Sequence, residues 1–123
     1  MSDLIERVLA ALFPADSERA AARDALARYG SESYQPEPDR VRLAVLKLCD
    51  GNLEKLASLV QTACTDFRDV VMWAEYPEEG RHAPEALLDD PVTKRHFEEA
   101  RQRDRAQYEQ WLARFATRVE EKK

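Results

Sequence analysis

Apolar residues along this chain recur mostly three and four positions apart, the spacing of one face of an α-helix. Leu4, Ile5, Val8, Leu9 and Leu12 make the first such run. Ser2 offers a capping hydroxyl before it, Asp3 and Glu6 suit its first turn, and Pro14 stops it. A second helix, capped by Asp16 or Ser17, has a side built from Ala21, Ala22, Ala25, Leu26 and Tyr29, with Gly30 as its terminator. Residues 31–38, with two prolines in three positions, read as a linker, and Pro38 suits the first turn of a third helix. Residues 41–48 are apolar around most of a helix but also alternate with period two, so a strand is the rival reading. Gly51 followed by a cap-competent Asn52 favours a helix–turn–helix hairpin.

The cleanest pattern spans residues 53–76. Leu53, Leu56, Val60, Ala63, Cys64, Phe67, Val70, Val71 and Ala74 predict one fourth helix, roughly 36 Å long at 1.5 Å per residue and ended by Pro77. Residues 77–90 read as an acidic loop, with one short helical turn at residues 84–88. Asp90 and Pro91 signal a fifth helix to about Arg118. Its second half is apolar at Tyr108, Trp111, Leu112, Phe115 and Val119; its first half has little beyond Val92, Phe97 and Ala100. That asymmetry predicts that half of helix five packs on the bundle and half is more exposed or meets a partner, which makes it the surface through which a second copy could associate. The expected fold is all-α, one domain over residues 1–123, a bundle of about five helices around a helix three–helix four hairpin, with Leu56, Val60, Phe67 and Val70 packed on Leu43, Leu46 or Leu48.

Composition narrows the function classes. With 123 residues, 44% hydrophobic and 35% charged, the chain can fill a core without staples and keep solvated outer faces. Net charge is -5, and Arg95, Arg101, Arg103 and Arg105 alternate with Glu98, Glu99 and Asp104. Such alternation reads as a solvated, ion-paired helix face and disfavours nucleic acid. No apolar run reaches the ~20 residues that span a bilayer, and the first residues lack a signal-peptide pattern, so a cytoplasmic protein without a membrane span is expected. Cys49 and Cys64 sit beside apolar residues at no metal-ligand spacing and are expected to be shielded free thiols.

Chemistry concentrates at the end of the fourth pattern. Asp66, Asp69, Trp73 and Tyr76 fall on one strip at the margin of its apolar stripe, extended by Thr62, with Arg68 and Glu75 on the opposite flank. One reading is a recognition strip, where Trp and Tyr give rigid contact area and the aspartates grip a cation or donor. In the other, the aromatics cover the core edge and the aspartates pair with arginines. Glu79-Gly80-Arg81-His82 is the only Glu-x-x-His; a helical dimetal site needs paired copies, so no metal is assigned. His82 and His96 have no neighbouring nucleophile, and glycines only at 30, 51 and 80 make no phosphate loop, so no catalytic residue or cofactor is assigned.

The segments Arg-Val-Arg-Leu-Ala-Val-Leu-Lys-Leu (40–48), Asp-Gly-Asn-Leu-Glu-Lys-Leu (50–56), Asp-Phe-Arg-Asp-Val-Val (66–71) and Trp-Ala-Glu-Tyr-Pro (73–77) resemble a group of short bacterial proteins of unknown function. The likeness is clearest over residues 40–79. It implies a small bacterial helical domain and transfers no catalytic residue. The expected function is therefore non-catalytic binding of another protein at Asp66, Arg68, Asp69, Trp73, Glu75 and Tyr76, joined to the acidic loop. The alternative is a small-molecule-binding or catalytic pocket at the same strip.

Overall fold

The computed structural model describes residues 1–78 and 91–121, with side chains at the C-terminal end described through Phe115. The described residues form an all-α bundle. Its elements include α1 (Asp3–Leu12), α2 (Asp16–Ala27), α3 (Pro38–Cys49), α4 (Leu53–Thr65), α5 (Phe67–Glu75) and α6 (Pro91–Glu121). The strand reading of residues 41–48 gives way to α3. The acidic-loop residues 79–90, including Glu79, His82, the turn expected at 84–88 and the Asp90 cap, lie outside the described residues.

Local chemistry sets most of the boundaries. The Ser2 hydroxyl accepts from the Ile5 N–H at 3.3 Å, closing the N-terminus of α1. Asn52 Oδ1 accepts from the Lys55 N–H at 2.9 Å and starts α4. Pro38 opens α3, and at its other end Asp50 and Gly51 both turn left-handed to reverse the chain. For α2 the expected caps are corrected. Asp16 and Ser17 lie inside the helix and Ala15 holds the cap position, with no side-chain bond. Instead, Arg19 folds back to donate to the carbonyls of Phe13 (3.0 Å) and Pro14 (2.7 Å).

The segment between α2 and α3 is held as a turn. The Tyr29 hydroxyl donates to Pro36 O at 2.8 Å, and Gln35 Oε1 accepts from the N–H groups of Gly30 (2.7 Å) and Glu32 (3.2 Å). Gly30 has φ +91, and a Cβ there would meet Pro38 Cβ at 2.6 Å, so both conformation and space require glycine. Arg42 donates to Leu26 O and Tyr29 O, satisfying carbonyls at the end of α2.

The buried side chains form one contiguous cluster with α3 at its centre, packed most extensively on α5 and then on α4. Leu46, Leu56, Val60 and Val70 are buried as expected, while Phe67, Leu43 and Leu48 are half-buried against the cluster. Cys49 is buried, and its thiol, pushed to higher pKa by burial, donates to Leu46 O at 3.3 Å. Cys64 is exposed, correcting the expectation that both thiols are shielded; it lies at the rim, where the Gln35 amide reaches its sulfur at 3.6 Å.

The larger correction concerns the single helix expected over residues 53–76. It breaks at Asp66, whose backbone is extended (φ -152, ψ 99). The preceding threonines bond backward, Thr62 to Ser58 O and Thr65 to Gln61 O, a pattern that weakens and bends helices. Asp66 then ends α4 through its N–H to Thr62 O (2.8 Å) and begins α5 through its carboxylate.

Candidate functional site

The break redistributes the residues of the expected strip. Asp66 faces its own chain: Oδ1 accepts from the Arg68 N–H (3.1 Å) and Nε (3.0 Å), and Oδ2 from Nη2 (3.2 Å). The Arg68 guanidinium holds the Asp66 carboxyl below its usual range. Arg68 therefore does not stand on the flank opposite Asp66; the two form one ion pair at the start of α5.

Glu75 points inward. Arg40 donates to it in bidentate fashion, Nε to Oε2 at 2.8 Å and Nη2 to Oε1 at 2.9 Å, and reaches Glu37 at 3.2 Å. Glu75 is 9% exposed while Arg40 reaches it from the surface, so the pair ties α3 to α5 at the edge of the core. Tyr108 of α6 faces the same pair, and burial followed by the Glu75 charge pushes its phenol well above the usual range.

The helix beyond Asp66 has two faces. Val70, Val71 and Ala74 enter the core, while Arg68, Asp69, Met72 and Trp73 are exposed and Tyr76 is half-buried. Asp69, Met72, Trp73 and Tyr76 stand at i, i+3, i+4 and i+7, which places them on one outer face. Met72 is 41% and Trp73 48% exposed, two adjacent large apolar side chains on a helix capped at its N-terminus. Asp69 makes no ion pair among the described residues. The sequence reading placed Met72 in neither the apolar stripe nor the strip, although its i+3 spacing from Asp69 puts it on the strip's face.

The end of α5 is gripped by α6 through polar contacts. Asp104 Oδ1 accepts from the Glu78 N–H at 3.0 Å, Arg103 pairs with the Glu78 carboxylate at 2.9 Å, and Gln107 donates to Ala74 O at 3.1 Å. Asp104 is 1% exposed, so the reading of this stretch as a wholly solvated charged face is corrected at that residue. Buried carboxylates need donors, and no local pattern reveals a donor 26 residues away.

Among the described residues no cluster of three or more His, Cys, Asp or Glu could hold a metal, and no helix is long and apolar enough to cross a membrane. The cleft described below between α3 and α6 is lined by none of the strip residues. No family model, curated protein or solved structure matches the chain.

Proposed function

We propose that this chain is a non-catalytic protein-binding module that docks through the outer face of α5. The observation that carries the reading is the exposure of Met72 and Trp73 side by side on a rigidly mounted helix. Rigid aromatic and flexible thioether side chains are the residue types that anchor interfaces. With Asp69 and Tyr76 they repeat the spacing by which a helix lays one face into an apolar groove. The partner this face fits is a protein with an apolar groove bordered by a cation, which would meet Asp69. Of the other strip residues, Asp66 and Arg68 support the helix start and Glu75 supports the seating of α5 on α3.

Affinity capture of wild type beside Trp73→Ala, Met72→Ala and Asp69→Lys, each with a thermal melt, tests the proposal. Loss of a wild-type partner in these variants at unchanged melting temperature is the expected result. Retention of every partner by all three would overturn it, as would unfolding of Trp73→Ala.

A further inference from the structure

The α6 helix packs on α1 and α5. Between α6 and the C-terminal end of α3 it leaves a cleft of about 570 Å³, within the size range of small-molecule sites. Lys47 and Asp50 line it from the α3 side; Gln107, Gln110, Trp111 and Arg114 line it from α6. The four α6 residues stand at i, i+3, i+4 and i+7, so one helix face builds that wall.

The polar groups of this cleft are largely uncommitted. Among the described residues Lys47 and Gln110 make no hydrogen bond or ion pair, and the contact of Arg114 is a 6.0 Å approach to the Phe115 ring. Elsewhere in the chain arginines are repeatedly paired, as in Arg23–Glu6, Arg40–Glu75 and Arg103–Glu78. Lys47 is half-buried, and burial lowers its pKa although the Asp104 charge acts in the opposite sense. Asp104 already accepts from Glu78 N–H. Lys47 and Arg114 thus line a cleft whose own acid is Asp50, with the buried Asp104 charge acting on Lys47 from beside it.

Trp111 fixes the apolar part. Tyr108 stacks on it at 5.8 Å and Phe115 meets it edge-on at 5.0 Å, so the indole is held rigidly where it borders the cleft. A point charge, a planar fork of donors, an amide and an immobilised ring form a set that suits an oxyanion attached to a flat apolar group.

We infer that the α3–α6 cleft is a binding site for a small aromatic oxyanion, a carboxylate or phosphate ester, gripped by Lys47 and Arg114 with its ring against Trp111. The site is separate from the outer face of α5 and stands independently of the function proposed for that face.

The chain contains two tryptophans, so Trp73→Phe leaves Trp111 as the reporter in the cleft. That protein is titrated with benzoate, phenyl phosphate and inorganic phosphate while Trp111 fluorescence is followed. Saturable change with an aromatic probe at about 1 mM or below is expected, weakened at least about tenfold by Arg114→Gln and by Lys47→Gln. Arg68→Gln, at a residue of α5 that does not line the cleft, should leave it unchanged. Tighter binding of benzoate assigns a carboxylate and of phenyl phosphate a phosphate ester; either supports the site. Absence of saturation up to about 10 mM overturns it. Equal binding by Arg114→Gln, or inorganic phosphate matching phenyl phosphate, also overturns it. Arg114 is exposed, so its variant decides the matter even if Lys47→Gln melts early.

Discussion

Helices α3 and α5 both carry apolar residues around much of their circumference, yet they end in different positions. From Val41 to Cys49 no residue of α3 is exposed, because α1, α4 and α5 surround it and the α2 carbonyls take up Arg42. In α5 the apolar excess has nowhere to go: the core takes Val70, Val71 and Ala74, and Met72 and Trp73 remain in solvent. An apolar circumference thus has two meanings. In α3 it marks the centre of a bundle, and in α5 it marks a helix with one face in the core and one unspent.

The largest expected effect is in α3. Leu46→Ala should cost about 2–5 kcal/mol through an unfilled cavity, measured by denaturant unfolding. A loss under ~1 kcal/mol would mean that α3 is not the centre of the core.

Next comes the seam between the two helices. Arg40→Ala leaves Glu75 mostly buried without its bidentate partner, but the Arg40 side chain is 42% exposed and solvent can partly replace it. The expected cost is about 1–2 kcal/mol, with Glu75→Gln recovering part of it in the double variant. Additive single losses would show that the pair does not hold α5 to α3.

On the outer face of α5, Trp73→Ala should cost under ~1 kcal/mol, because a side chain already half in water leaves little cavity. A cost several times larger would place Trp73 with Leu46 and erase the contrast between the helices.

The smallest effect is a pH dependence at the start of α5. Arg68 lowers the folded-state pKa of Asp66 from 3.8, so the stabilisation is present above about that pH and is lost as pH falls through the folded value. The difference in melting temperature between wild type and Asp66→Asn should therefore shrink with acidification below 3.8. A gap that widens in acid would reverse the sign and remove the ion pair from the account.

Where sequence and structure agree, the signal was local. Ser2, Pro38 and Asn52 act on backbone groups within one turn, and the 3.6-residue periodicity of Leu56, Val60 and Val70 places them in the core. The break at Asp66 was also written locally, as Thr62 and Thr65 before an aspartate with a second acid three residues on, but the unbroken apolar spacing across it masked the cap. Contacts between distant residues left no such trace. Arg40 finds Glu75 after 35 residues and Asp104 finds Glu78 after 26, so Glu75 looked available and Asp104 solvated. The cleft at Lys47 and Arg114 was hidden for the same reason, since each wall alone is an ordinary polar helix face. Cys64 went the other way: it sits one step past Ala63 on the wheel, and that step crosses the waterline.

The turn after α2 carries a consequence for the timescale of the protein's motions. A polar, proline-containing segment is ordinarily where backbone amides trade hydrogen with water fastest. In this turn the Gly30 and Glu32 amides share one side-chain oxygen of Gln35, and the next residue, Pro36, is fastened to the hydroxyl of Tyr29, whose ring is 1% exposed. Opening the turn at Pro36 frees that hydroxyl and loosens the seating of the ring at the end of α2. Gly30 and Glu32 should therefore exchange with the slow rhythm of the bundle and not with that of a surface loop, making a stretch with no helical bond of its own a clock for the packing beneath it.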